Sequence, residues 1–238
     1  MKALILNSGV GSRMGVLTSE HPKCMTDISE KDSILSRQLR QLVRAGITEV
    51  VMTTGLFDNV LEEYCRELAV PLQYTFVKNP MFRETNYIYS IYCAKECLED
   101  DILLMHGDLV FADDVLNSVL ASEKSCMAVS TTCPLPEKDF KAVIHDGKIE
   151  KVGIEFFTDA VAAQPLYKLK QADWMIWLKS IIAFCEAGNC KCYAENALNA
   201  VSDQCEILPL DVKDKLCNEI DNPDDLAAVS EQVRKLEN

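Results

Sequence analysis

The sequence predicts an α/β protein built on a mostly parallel mixed sheet with helices on both faces. Three observations predict it. Apolar, strand-like runs alternate with helical periodicity through the first half, a glycine turn follows the first of these runs directly, and short strands with a hairpin turn take over from about residue 126. Alternation of this kind makes the helices crossovers between parallel strands, and ligands then bind outside the carboxyl ends of those strands.

Residues 3–7 form the first strand and residues 9–23 the loop after it. Residues 33–45 carry Ile34, Leu35, Leu39, Leu42 and Val43 at helical spacing and stop at Gly46, which predicts a helix. A strand at 49–53, a helix at 59–68, a strand at 72–77, a helix at 87–98 and a buried strand at 101–106 continue the alternation. Strands at 127–132, 142–145 and 148–152 follow, the last two joined by Asp146-Gly147, a turn pair suited to a two-residue hairpin. Helices are expected at 173–187, 195–201 and 224–236. Trp174 and Trp177, three apart on the first of these, read as packing residues rather than a ligand cage. No linker, repeat or low-complexity stretch divides residues 1–238, so one domain is expected, with halves at about 1–125 and 126–238.

Composition sets the limits. A chain of 238 residues, 48% hydrophobic and 26% charged, can bury one substantial core. A net charge of −13 argues against nucleic acid and anionic membrane surfaces as partners, and no apolar run approaches the ~18 residues of a membrane span. Met1-Lys2 runs into the first strand without a leader, so a cytoplasmic location with reduced thiols is expected for the eleven cysteines. Neither Cys190-Lys191-Cys192 nor the Cys93 and Cys97 pair has zinc-site spacing, and only three histidines could complete one.

The loop is the most informative stretch. Gly9 and Gly11 lack Cβ atoms, so backbone N–H groups can approach an anion, while Arg13 and Lys23 bring charge to the same place. A Walker A loop is excluded, because one residue separates the glycines and Ser12-Arg13 follow them. A dinucleotide fingerprint is disfavoured by Met14 at the third glycine position. Asp108 lies one glycine beyond a buried strand, where it either caps the next turn or faces the ligand. A carboxylate facing a triphosphate needs a cation between the two anions.

From Gly9 to Lys23 the chain resembles the signature loop of the sugar-phosphate nucleotidyltransferase superfamily, G-x-G-S/T-R-L/M-x-P-L-T-x-x-x-P-K, with Val16 in place of the usual proline. The stretch Asn79 to Ser90 is similar to that of the branch activating phosphocholine or phosphonates with CTP, and Glu219-Ile220-Asp221 to its closing motif. The resemblance implies a single-domain nucleotidyltransferase (Rossmann-like) fold with a nucleotide-binding first half and an acceptor-binding second half. It also implies that Asp108 and Asp221 bind Mg²⁺, that Arg13 holds the leaving pyrophosphate and that Lys23 neutralises the α-phosphoryl group. Leu6, Ser8, Gly9, Gly11, Ser12, Gly55 and Gly107 become expected nucleotide contacts, with Asn86 and Ser90 near base and ribose or, on the chemistry of a helix start, as caps. Asp224 and Asp225, after Pro223, read as helix-start acids.

On the acceptor side the resemblance points to Tyr167 and Lys168 on a strand, and to Tyr193 and Glu195 at a helix start. An aromatic ring beside a carboxylate would suit an ammonium group, and a surface acid with a half-buried tyrosine is the other reading. The expected partners are CTP and a small zwitterionic phosphate or phosphonate, with phosphocholine and 2-aminoethylphosphonate both open and a homodimer undecided. The alternatives are a nucleotidyltransferase for a sugar 1-phosphate or glycerol phosphate, and a non-catalytic nucleotide-binding regulator.

Overall fold

A computed structural model describes residues 1–237. Its elements run β1 (Lys2–Leu6), α1 (Ile34–Arg44), β2 (Glu49–Thr54), α2 (Asp58–Glu67), β3 (Gln73–Lys78), α3 (Tyr87–Ala94), β4 (Ile102–His106), β5 (Leu109–Phe111) and α4 (Asp113–Ala121). They continue with β6 (Ser125–Ser130), β7 (Lys141–His145), β8 (Lys148–Gly153), β9 (Ala160–Leu169), α5 (Gln171–Glu186), α6 (Ala194–Asn199), β10 (Ile207–Asp211), β11 (Cys217–Glu219) and α7 (Pro223–Glu237).

Strands β3, β2, β1 and β4 pair in parallel in that order. Strand β9 lies antiparallel between β4 and β6, β10 closes the edge parallel to β6, and the β7–β8 hairpin joins through β9. The mixed, mostly parallel α/β sheet read from the sequence is therefore present. Period-two alternation splits the core. Ala3, Ile5, Leu103 and Met105 face a cluster with α1, α2, α4 and α7, while Leu4, Leu6, Ile102 and Leu104 face one with α3, α5 and α6.

Four elements were not foreseen, each for a physical reason. Strands β5 and β11 are three residues each, too short for periodicity to show. Strand β10 contains Pro209, which an edge strand tolerates because one side needs no ladder donor. Helix α4 opens on Asp113 and Asp114, acids that favour a helix start but leave little room for an apolar stripe before Val115 and Leu116. Within β9, Pro165 cannot donate to the ladder, and the β6–β9 register slips between Met127 and Val129 around it.

Trp174 and Trp177 are packing residues. Both are buried, and their indole N–H groups donate to the carbonyls of Leu98 and Ala194 at 2.9 Å. Among the described residues no helix is long and apolar enough to cross a membrane, and all eleven cysteines are free.

Two buried amides on α1 position the end of β4. Gln38 Nε2 donates to the carbonyls of His106 and Leu109 at 3.0 and 2.8 Å, and Gln41 Nε2 donates to Phe111 at 3.0 Å and to Asp113 at 2.7 Å. They grip the backbone on both sides of Asp108. Replacing Gln38 with Leu leaves two buried carbonyls without donors and should cost about 1–3 kcal/mol, read as a lower urea midpoint at unchanged slope.

Candidate active site

The carboxyl ends of β1, β2 and β4 align, since Leu6 pairs with both Thr53 and His106. Close backbone approach there requires the missing Cβ of Gly55, and Gly107 leaves room for the Asn7 side chain. A Cβ at Gly55 would press on the Ser8 carbonyl, and one at Gly107 would overlap the Asn7 side chain. The loop after β1 turns through Gly11 at φ 67° and is closed by Thr18 Oγ1 donating to the Gly11 carbonyl at 2.9 Å. Its 3₁₀ turns, Ser12–Thr18, break at Gly15, and Val16 is 87% exposed at the tip, so valine in place of proline leaves the core untouched.

This loop forms one wall of a cleft of about 590 Å³, within the usual range for small-molecule sites. Gly9, Gly11, Ser12, Arg13 and Lys23 lie on that side, His106, Asp108, Glu219 and Asp221 form the floor, and Phe140, Ile154 and Tyr193 line the far side. A recess of about 180 Å³ opens from it, lined by Leu6, Ser8, Gly9, Asn79, Asn86 and Ser90 among others.

Charge is concentrated at the floor. Lys23 Nζ contacts Asp108 Oδ2 and lies 2.8 Å from Asp221 Oδ1, and Arg13 Nη2 reaches the same Asp221 oxygen at 2.8 Å. The two carboxylates meet because β5 and β11 pair antiparallel and the Ile220 N–H donates to the Asp108 carbonyl at 3.0 Å. Asp225 then fixes the next turn, its Oδ2 accepting from the N–H groups of Asp221 and Asn222 at 2.9 and 3.1 Å. Burial works against the Lys23 charge, yet Asp108 and Asp221 hold its pKa above the ordinary lysine value. Burial likewise opposes the Asp108 charge, and Lys23 with His106 more than offsets it, so its carboxyl sits below the usual range.

His106 and Glu219 extend the cluster, with Nδ1 and Oε1 at 2.8 Å. Burial lowers the imidazole, but the Glu219 hydrogen bond and charge raise it to about 9. The ligand atoms of His106, Asp108 and Glu219 all lie within 4.8 Å of one another. The carboxylate oxygens of Asp108 and Asp221, which converge on one ammonium, are hard ligands that could hold a divalent cation such as Mg²⁺. Nothing in the loop or strand patterns marked His106, because its role depends on Glu219, far away in the chain.

The expected residues divide by position. Leu6, Gly9, Gly11, Ser12, Asn86 and Gly107 line the cleft, and Ser8 and Ser90 line the recess. Gly55 lines neither and supports the turn from behind. Asn86 Oδ1 accepts from the Tyr87 N–H at 2.7 Å, capping α3, and Ser90 Oγ accepts from Asn79 Nδ2 at 3.0 Å. Of the four acceptor-side residues only Tyr193 faces the cleft. Glu195 is 1% exposed and takes the hydroxyls of both Tyr87 and Tyr167, the latter at 3.0 Å, so it is satisfied behind the wall. Lys168 points elsewhere, donating to the Leu120 and Ser122 carbonyls at the end of α4. The wall itself is aromatic. Tyr87 packs on His106 at 4.8 Å, and Phe140 packs edge-on to Tyr193 at 5.1 Å between ring centroids.

Residues 3–140, more than half of the chain, match the MobA-like NTP transferase domain, and the protein belongs to that family. It is 29% identical to the CTP:phosphoglutamine cytidylyltransferase of Campylobacter jejuni over 160 residues, 64% of this chain and 62% of that protein. It is 35% identical to the CMP-5'-(3-aminopropyl)phosphonate synthase of Streptomyces rubellomurinus over 135 residues, 57% of this chain and 21% of that protein. The chain thus spans less than two thirds of either relative. Its fold matches that of the CTP:phosphocholine cytidylyltransferase from Streptococcus pneumoniae at a TM-score of 0.78 and 18% identity, covering 98% of both chains.

The ion cluster has a stability consequence. Lys23→Met leaves the largely buried Asp108 without its cation and should cost roughly 1–3 kcal/mol, whereas adding Asp108→Asn should recover a large part of that loss. Denaturant melts of the two single variants and the pair measure the coupling directly.

Proposed function

We propose that this member of the family is a Mg²⁺-dependent cytidylyltransferase, joining CMP from CTP to a small zwitterionic phosphate or phosphonate with release of pyrophosphate. The observation that carries the reading is the Lys23 ammonium between Asp108 and Asp221, beside Arg13 and under a glycine loop. A regulator that only bound nucleotide would need no such pair of carboxylates facing two cations. Both relatives are named for cytidylyl chemistry, which supports CTP over other nucleotides.

On this reading, Gly9, Gly11 and Ser12 offer backbone to the phosphates. Arg13 and Lys23 exchange the Asp221 carboxylate for phosphate oxygens, Arg13 on the departing pyrophosphate and Lys23 on the α-phosphoryl group. Asp108 and Asp221, freed from Lys23, hold Mg²⁺, which when bound withdraws charge from the phosphoryl oxygens. An acceptor oxygen forms its bond to the α-phosphorus as the bond to pyrophosphate breaks. That oxygen is already anionic at neutral pH, so positioning and charge neutralisation suffice without a general base. The recess beside Asn86 and Ser90 takes the cytidine.

The far wall concerns the acceptor. Phe140, Tyr193 and Tyr87 surround the end of the cleft away from the glycine loop, and aromatic faces attract an ammonium group through cation–π interaction. This favours an amino-alkyl acceptor, with phosphocholine and 2-aminoethylphosphonate as its simplest forms, over a sugar 1-phosphate or glycerol phosphate. Eleven free thiols suit a cytoplasmic setting.

The test is pyrophosphate release with Mg²⁺ and CTP, UTP, GTP or ATP against phosphocholine, 2-aminoethylphosphonate, glycerol 3-phosphate and glucose 1-phosphate. Release should require CTP and an amino-alkyl acceptor, and release with glucose 1-phosphate alone would reverse the assignment. Lys23→Ala should lose ~10²-fold or more in turnover, as removal of a transition-state donor does. Asp108→Asn should move the Mg²⁺ titration to higher concentration, and a titration overlaying wild type would remove Asp108 from the metal site.

A further inference from the structure

Lys141 opens β7 and is 0% exposed, an unusual position for an ammonium that has no carboxylate within salt-bridge distance among the described residues. Its Nζ donates to the Pro136 carbonyl at 2.6 Å and the Glu137 carbonyl at 3.5 Å, and it lies 4.0 Å from the centre of the Phe157 ring. Two carbonyls and one aromatic face account for the three donors of an ammonium. A methionine of similar length would fill the same space without the cost of desolvating a charge, so what the charge adds is its hold on those carbonyls and its attraction to the nearby Asp139 and Glu155 carboxylates.

The carbonyls belong to the strap between β6 and β7. Its first end is tied down separately, with Thr131 bonded through N–H and Oγ1 to Asp211 at 3.1 and 2.7 Å, and the Cys133 N–H bonded to Ser130 Oγ at 3.0 Å. Its second end carries Asp139 toward the charges of Arg13 and Asp221 and Phe140 to the far side of the cleft, where Phe140 packs on Tyr193 and lies 6.4 Å from His106. We infer that Lys141 is a positioning residue for the acceptor, pinning the strap so that Phe140 stays packed on Tyr193 at the acceptor end of the cleft. This rests on the transferase reading above. Among the described residues no hydrogen bond or ion pair joins Lys141 to the glycine loop, which holds the phosphates in that reading, so the effect should fall on the acceptor more than on CTP.

Lys141→Met tests it through separate constants. The acceptor KM should rise ~10-fold or more with kcat within about threefold, and the calorimetric Kd for CTP alone should stay within about twofold. Lys141→Arg, which keeps the charge and donors, should restore part of the loss. Phe157 is 54% exposed, so Phe157→Ala does not threaten folding and should shift the acceptor KM in the same direction by less. It carries the test if Lys141→Met does not fold. An unchanged acceptor KM in the folded variants, or equal weakening of CTP and acceptor, would overturn the inference. Limited proteolysis separates it from the reading it rests on. Faster cleavage within residues 134–140 in Lys141→Met, without change in the glycine loop, supports pinning even if wild type turns over none of the acceptors. Unchanged cleavage there overturns it.

Discussion

Lys23 stands where three separate parts of the chain meet, and the cleft floor takes its shape from that meeting. Asp108 comes from the end of β4, Asp221 from the end of β11, and the ammonium from the loop after β1. Two carboxylates this close would repel strongly in a poorly solvated cleft, and one cation between them turns the repulsion into a clamp. The rest of the structure serves the encounter. Helix α1 holds the β4 end through Gln38, the β5–β11 pair fixes the separation of the acids, and Asp225 fixes the turn after Asp221.

The clamp also suggests how one site handles opposite charges in sequence. Without nucleotide, the acids satisfy Arg13 and Lys23, so neither a bare cation cluster nor a bare anion cluster faces solvent. In the proposed reaction a metal-bearing triphosphate replaces both sides of these pairs at once, offering oxygens to the cations and a cation to the acids. The exchange keeps every charge partnered, which lowers the cost of desolvating the cleft when the nucleotide binds.

Much of this was legible because it depends on neighbours in sequence. The first strand and its glycine loop, the helix at α1 with its apolar spacing, and Gly107-Asp108 after a buried run are local patterns with a physical meaning. What the sequence hid depends on distant pairing. His106 finds its partner in Glu219, and β5 and β11 exist as strands only because they find each other. Glu195 has the chemistry of an ammonium ligand, but two tyrosine hydroxyls already satisfy it, and Lys168 is held by carbonyls at the end of α4. Residue type alone does not show which polar groups are already satisfied. Lys141 is the converse case, a lysine of ordinary appearance whose burial gives it a task.

The exchange of partners at Lys23 is the central claim, and a crystal structure with CTP and Mg²⁺ tests it most directly. The account predicts Lys23 Nζ on phosphate oxygens, with Asp108 and Asp221 turned from it toward the metal. A triphosphate bound elsewhere, with Lys23 still clasped between the two carboxylates, would contradict it.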